Sequence, residues 1–251
     1  MSRPKSPVRQ EWVDPRVCSL DYRLKIIGRL PFFRHLSPDA IIEINRLFQD
    51  CDVAADEAIY FEGDHGQNLY LVASGKVKIL RHAISGREVL LDILQGGEYF
   101  GHLAIVGHHD YAETAVAQTD CCILQISALN FEQVLHRFPE VTMKVLWAVG
   151  QRLEEAQEII KQLSTYSADQ RIAASLVRLA KKMGEQNQKG VLIQIPFSRQ
   201  DLAAMTGSTV ETVSRVMSRL AAAGLIKTGR KWVSINDLER LQQIVKESAV
   251  N

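Results

Sequence analysis

The apolar positions of this chain change period twice, and the changes divide it. From Asp21, Leu24, Ile27 and Leu30 fall on one helical face. Pro31-Phe32-Phe33 marks a bend, and Ser37-Pro38-Asp39 reads as a cap with proline at the first helical position, opening a second helix over Asp39–Phe48. From Cys51 to about Gln125 the period is two. Short β-rich runs (Ala58–Phe61, Leu69–Ala73, Lys76–His82, Glu88–Leu94, Glu113–Ala117, Cys121–Ile126) alternate with turns at Gly63, Gly66, Gly75, Gly86 and Gly96-Gly97. Short strands with such regular punctuation predict an antiparallel roll or barrel. The helical period then returns, in a short helix from Ser127 that ends before Pro139 and a long one over Glu140–Thr165.

The long helix carries Leu146, Val149, Leu153, Ala156, Ile160 and Leu163, spaced 3-4-3-4-3 and flanked by charges. That spacing predicts the seam of a parallel dimer, the alternative being a helix lying on its own domain. Ser164–Asp169 reads as a hinge, Ala168–Met183 as an amphipathic helix, Gly184–Gly190 as a polar loop and Val191–Ile195 as a strand.

Arg199–Leu220 reads as two short helices around a turn at Gly207. In the second helix Val213, Val216, Met217 and Leu220 share one face, and Glu211, Ser214, Arg215 and Ser218 share the other. The polar face offers an acceptor, a hydroxyl and a guanidinium, groups suited to base edges in a major groove. A strand pair around Thr228-Gly229-Arg230 forms the wing of a winged helix, and Asn236 is the expected cap of a last helix, Asp237–Glu247. The fold class is α+β. The expected parts are a flexible arm (1–20, broken by Pro4, Pro7 and Pro15), a β-roll sensor domain (21–138), a dimerisation helix (139–165) and a winged helix-turn-helix domain (166–251).

Composition sharpens this division. The net charge of +1 hides a split: residues 165–251 hold 13 basic against 7 acidic side chains, and residues 1–164 hold 17 against 22. A basic C-terminal third that contains the helix pair suits phosphate contacts. No apolar run approaches the roughly 18 residues of a membrane span. The N-terminus MSRPKSPVRQ lacks a signal-peptide core, so a cytoplasmic protein without membrane contact is expected. Cys18, Cys51, Cys121 and Cys122 show no CxxC spacing, and reduced thiols are expected. No nucleophile–base constellation suggests an enzyme.

A glycine-punctuated roll, a seam helix and a winged helix, in that order, resemble the CRP/FNR family of bacterial transcription regulators. The roll is similar to a cyclic-nucleotide-binding domain through Phe61-Glu-Gly-Asp64-x-Gly66-x-x-Leu69-Tyr70-x-Val72-x-x-Gly75-x-Val77 and through Gly97-Glu-Tyr-Phe-Gly101. The likeness runs from about Leu30 to Ile235 and leaves out the arm and the last helix. It implies a homodimer that binds double-stranded DNA and works with RNA polymerase.

Thr209-Val210-Glu211-Thr212-Val213-Ser214-Arg215 resembles the recognition helix of the FNR branch. The resemblance implies Arg215 on a guanine, Glu211 on a cytosine or adenine amino group, and Val210 and Ser214 against thymine. The half-site implied is TTGAT, in an inverted pair. Arg199, Gln200, Thr212 and Lys231 match family positions near phosphate. The cyclic-AMP branch has Gly where Ser214 stands and Arg where Val210 stands.

The sensor cassette departs from its family. Phe100-Gly101-His102-Leu103 stands where FGEL is usual, so the ribose-binding Glu is His102. Tyr111 stands in place of the phosphate-binding Arg, Ala112 in place of its Ser/Thr neighbour, and Ala156 and Gln157 in place of the adenine-binding pair on the long helix. A buried phosphate without a cation costs several kcal/mol, and Asp110 and Glu113 add like charge, so cyclic AMP is not the expected effector. The cofactor candidates are an iron–sulfur cluster on Cys18, Cys51 and one or both of Cys121 and Cys122, and a haem drawing on His65, His102, His108 or His109. Cys121 and Cys122, adjacent on a strand, should face opposite ways. Gly101 and Leu103 stand where carbon-monoxide sensors of the family carry their Cys and His. A small organic effector, or none, stays open. His102 should point into the emptied pocket, and a signal bound between roll and seam helix would act through the hinge.

Overall fold

The computed structural model of the chain describes residues 7–8, 19–101, 110–187 and 190–246. These form two compact units, one from 19–82 and 91–155, the other from 7–8, 83–90 and 156–246.

In the first unit, helices α1 (Leu20–Ile27) and α2 (Pro38–Asn45) precede eight strands: β1 (Gln49–Val53), β2 (Ala58–Tyr60), β3 (Asn68–Ser74), β4 (Lys76–His82), β5 (Glu88–Gln95), β6 (Tyr99–Gly101), β7 (Thr114–Ala117) and β8 (Cys121–Ser127). They make two four-stranded sheets in the orders β1-β8-β3-β6 and β2-β7-β4-β5, an antiparallel roll. Ser37 accepts from the Ala40 amide with Pro38 at the first helical position, as its sequence signature predicts. The helix ends at Asn45 rather than Phe48, because tight turns at Leu47 and Phe48 send Phe48 into the core.

Two cores share one wall. Along β3 and β8, Tyr70, Val72, Cys121 and Ile123 face the inside of the roll, while Leu69, Leu71, Ala73, Cys122, Leu124 and Ile126 face the helices. The second core is completed by Phe32, Phe33, Ile44 and by helices α3 (Ala128–Arg137) and α4 (Pro139–Thr165), through Phe131, Val134, Val141, Val145 and Ala148. β1 is mostly exposed and held by its register with β8, so alternation did not announce it.

One arginine ties α1 to the end of α2 and to β1. Arg23 donates through Nε to Asn45 Oδ1 at 3.1 Å and through Nη2 to the Phe48 carbonyl at 2.6 Å, and its Nη1 pairs with Asp50 at 2.7 Å.

The second unit holds α5 (Ala168–Met183), β9 (Gly184–Asn187), β10 (Gly190–Ile193), α6 (Arg199–Thr206), α7 (Val210–Ala222), β11 (Ile226–Gly229), β12 (Trp232–Ile235) and α8 (Leu238–Lys246). Its sheet runs β11-β12-β10-β9. Two expectations are corrected. Residues 184–187 are not loop but an edge strand on β10, a polar hairpin arm whose four residues are all exposed. Asp237, not Asn236, caps α8: its carboxylate accepts from the Arg240 amide at 2.8 Å, and the Asn236 amide donates to the Gly224 carbonyl.

Removing the Arg23 clamp strands the buried Asn45 side chain and the Phe48 carbonyl, so Arg23→Ala should cost roughly 2–4 kcal/mol in urea denaturation. Arg23→Met, which keeps the stem, should recover little of it; full recovery would mean that packing, not hydrogen bonding, is what Arg23 supplies.

Candidate nucleic-acid interface and sensor cassette

The interface begins with caps. Ser198 and Asp201 form a capping box at the start of α6: the Ser198 hydroxyl accepts from the Asp201 amide at 3.0 Å and the Asp201 carboxylate accepts from the Ser198 amide at 2.9 Å. Gly207 closes α6 at φ 60°, ψ 30°, the left-handed region that glycine enters most cheaply, and the Ser208 amide returns to the Ala203 carbonyl. Thr209 then caps α7, its hydroxyl accepting from the Thr212 amide at 3.1 Å.

Packing sets the rotation of α7. Val213, Val216, Met217 and Leu220 are buried, which turns Val210, Glu211 and Arg215 outward, with Ser214 half-buried beside them. Glu211 and Arg215 lie one turn apart, yet neither has an ion-pair partner among the described residues. Both charges are therefore available to a ligand.

The remaining candidates divide. Gln200 and Lys231 are exposed. Lys231 takes a left-handed φ of 60° at the wing tip, and its carbonyl accepts from the Phe197 amide, tying the wing to the segment before α6. Arg199 instead lays Nη1 on the Ser214 carbonyl at 3.3 Å, bracing α6 against α7. The Thr212 hydroxyl is engaged by that of Thr209 at 3.0 Å. Periodicity missed two further braces. Arg171 donates to the Thr206 carbonyl at 2.9 Å and to the Tyr166 carbonyl at 2.8 Å, fixing the link after α4 to the end of α6. Arg219 on α7 pairs with Asp169 on α5. Each has a neighbour at no sequence-readable spacing.

In the roll, Tyr111 is buried, and its ring stacks on Tyr60 with centroids 3.8 Å apart. Tyr60, Tyr70 and Phe100 continue the stack at 5.2–6.0 Å. The Tyr111 hydroxyl lies 3.3 Å from that of Tyr70 and accepts from the Asn68 amide at 3.1 Å. Among the described residues, aromatic rings pack around Tyr111. Burial, with the Tyr70 hydrogen bond, holds the Tyr111 phenol neutral well above its usual range. Tyr60 donates to Glu113 Oε1 at 3.1 Å. Burial raises the Glu113 carboxyl above its usual range, against the lowering effect of the Tyr60 hydrogen bond and of Arg152 and Arg81. Arg152 itself lies over the Tyr99 ring at 3.8 Å and donates to the Tyr99 carbonyl. Gly101 ends β6 against Tyr70, and Ala112, Ala156 and Gln157 are exposed.

The cofactor candidates fare unequally. His102, Leu103, His108, His109 and Cys18 lie outside the described residues. Cys121 and Cys122 sit in opposite cores, as adjacent strand positions should, and Cys51 is exposed on β1. The Cys121 thiol donates to the Lys76 and Thr119 carbonyls, and burial raises its pKa, which disfavours a thiolate. These three cysteines do not suit one cluster, and no group of three His, Cys, Asp or Glu among the described residues could hold a metal. His65 is exposed and pairs with Asp110 at 3.5 Å.

Along α4, Leu146, Leu153 and Ile160 are 63%, 59% and 62% exposed, and Leu163 and Ala156 are exposed too. Val149 is partly buried against the helix-facing core of the first unit. The exposed stripe includes Met143 and Gly150, so it starts one position round from the expected seam.

Comparison with known proteins follows the same two parts. Residues 51–138 match the model of the cyclic nucleotide-binding domain and 170–244 that of the Crp-like helix-turn-helix domain. The second match takes in most of α8, so the family likeness extends past Ile235. The chain is 32% identical over 214 residues to the cyclic AMP receptor protein of Thermus thermophilus, covering 85% of this chain and 96% of that protein. It is 28% identical over 217 residues to a CRP-like cAMP-activated global transcriptional regulator of Mycobacterium tuberculosis, covering 86% and 97%. The structure of FixK2 from Bradyrhizobium japonicum superposes with a TM-score of 0.71 at 22% identity, over 81% of this chain and 98% of that one, a likeness of fold. These sequence relatives are transcription regulators rather than enzymes.

A raised carboxyl pKa makes the roll's stability depend on pH in a definite direction. The Glu113 contribution is complete below the unfolded-state value of about 4.3 and is lost as pH rises through the raised folded-state value. Glu113→Gln should therefore gain stability relative to the parent as pH rises above about 4. Parallel urea curves across that range would show instead that the carboxyl ionises freely.

Proposed function

The chain belongs to the CRP/FNR family of transcription regulators and carries its helix-turn-helix DNA-binding domain, and from that premise we propose that it binds, as a homodimer, an inverted repeat resembling TTGAT-N4-ATCAA. The observation that carries this reading is the unpaired Glu211 and Arg215 flanking Ser214 on the outward face of α7. An unpaired guanidinium can take a guanine bidentately, and an unpaired carboxylate accepts from a base amino group. Lys231 at the wing and Gln200 at the start of α6 supply backbone contacts that set register, and Arg199 acts by holding α6 on α7.

Two-fold symmetry of the site requires two copies. Exposed Leu146, Leu153 and Ile160, each seven residues apart, support α4 as the seam, because an apolar stripe of this length is unstable in water. The regulator works in the cytoplasm on promoters read by RNA polymerase. No helix among the described residues is long and apolar enough to cross a membrane.

The effector is not cyclic AMP, although the names of the relatives invoke it. Tyr111 brings a neutral phenol where a cyclic phosphate needs a cation, and its ring is committed to Tyr60. Glu113, which accepts from Tyr60, offers no cation in its place. An uncharged small effector suits this interior better.

Arg215→Ala should lose about 1–3 kcal/mol against the cognate half-site and show reduced discrimination at one base pair, measured by fluorescence anisotropy with singly substituted duplexes. Lys231→Ala should weaken all duplexes alike. An unchanged base preference in Arg215→Ala would falsify the assignment. Leu153→Arg should give a monomer by sedimentation and lose repeat binding; a stable dimer would remove α4 as the seam.

A further inference from the structure

The compact unit that holds the winged helix takes in the end of the long helix, α4 from Ala156 onward. Ile160 stays exposed there on the seam stripe. On another face of the same turns, Ile159, Gln162 and Leu163 lie against Arg171 and Ser175 of α5 and Met205 of α6. The space left among them is about 20 Å³, room for about one water. Leu163 reaches the turn between α6 and α7 itself: its Cδ2 lies 3.6 Å from the point that a Cβ on Gly207 would occupy.

Residues 164–169, read from the sequence as a hinge, are bonded on both sides. The Ser164 and Thr165 hydroxyls donate to the Ile160 and Lys161 carbonyls one turn back, at 2.9 and 2.8 Å, and the Tyr166 amide donates to the Gln162 carbonyl. Ser167 opens α5 in a capping box with Gln170. Arg171 donates to the Tyr166 and Thr206 carbonyls together, which ties this link to the residue before Gly207. Arg219, in the last turn of α7, pairs with Asp169. The recognition helix is therefore held just before its start and again near its end by groups that follow α4 directly. Two attachments fix the direction of a rod, whereas one leaves it free to swing. In a two-fold dimer the recognition helices have to lie about 34 Å apart, and a swing of about 10° acting over half that distance displaces a helix by about 3 Å, close to the rise of one base pair. A dimer that discriminates half-site spacing needs this link to be stiff.

We propose that Arg171, together with Asp169 and the contact of Leu163 with Gly207, sets the spacing between half-sites that this protein accepts. Arg171 is a positioning residue: it joins the end of the seam helix to the turn before α7, so the distance and rotation between the two recognition helices are inherited from the seam. The proposal rests on the homodimer and inverted-repeat reading above, and concerns the distance between half-sites rather than the bases within them.

Anisotropy titrations of the full chain test this, on duplexes in which three, four or five base pairs separate the half-sites. The parent should bind the four-base-pair spacer roughly tenfold or more tightly than the other two. Arg171→Ala should shrink that ratio several-fold, while the effect of single base changes within a half-site stays as in the parent. Arg171→Lys, which keeps a donor on a long stem, should restore part of the ratio. Inserting two glycines between Thr165 and Tyr166 removes no side chain and should shrink the ratio too, which covers the case of an Arg171→Ala chain that does not fold. Equal weakening on every duplex, with the spacer ratio kept, would make Arg171 a support of the fold alone and overturns the proposal. A parent that binds all spacers alike overturns it as well, with the inverted-repeat reading left standing. A parent that binds no repeat at any spacing sinks that reading, and this proposal with it.

Discussion

The wall formed by β3 and β8 is the constraint from which the sensor unit follows. Both strands are buried on both faces, so each successive side chain is assigned to one core or the other. A slip of one residue would exchange Tyr70 and Val72 for Leu69 and Leu71, and would put the roll's aromatic side chains among the helices. The helix-facing set then dictates how α4 sits. Val141, Val145 and Ala148 take the positions the wall offers, and the rotation they impose leaves Leu146 and Leu153 facing out. Helix geometry carries that choice beyond the roll, because a seven-residue step turns by only about 20° from a full number of turns. Ile160 therefore stays on the exposed stripe two heptads after Leu146.

The same logic, a buried face choosing an exposed one, operates in α7. Four apolar side chains fix its rotation, and polar braces fix its position: Arg199 from α6, Arg219 onto α5 and Arg171 between the link after α4 and the end of α6. Base readout needs side chains placed to a fraction of an ångström, so rigid support matters as much as the reading groups. Several of the unit's arginines thus hold the frame, which leaves Arg215 as an uncommitted charge on the outward face of α7.

Legibility followed the physics of each element. Where an element is set by burial of one face, as in α4, α5 and α7, period alone placed it within a residue or two. Where it is set by a partner strand, period was silent. Gln49–Val53 and Gly184–Asn187 are polar segments that become strands only because β8 and β10 offer their edges. At the start of α8, Asn236 and Asp237 are both good caps by type, and the choice was made by a distant carbonyl, Gly224, that captured the Asn236 amide. The candidate interface shows the same split. Glu211 and Arg215 were readable from one helix face, whereas the engagement of Arg199 and of the Thr212 hydroxyl depends on neighbours that spacing does not reveal.

The sensor cassette is where a substitution read as a loss turns out to be an exchange. A cation in a roll of this kind has to be neutralised by a ligand or by the protein; a tyrosine has only to be packed and hydrogen-bonded. Tyr111 meets that requirement with the Tyr60 ring and with hydroxyl contacts at Tyr70 and Asn68, an arrangement worth about 0.5–1.5 kcal/mol beyond area burial for the ring pair alone. An anionic ligand would have to break this stack and lose its water beside Glu113, whose own carboxyl is held above its usual range by burial. Arg152 does not reverse the balance, since its guanidinium is engaged by the Tyr99 ring and carbonyl. Any molecule that enters must therefore compete with self-packing rather than satisfy a charge, which supports the proposal of an uncharged ligand that replaces ring contacts.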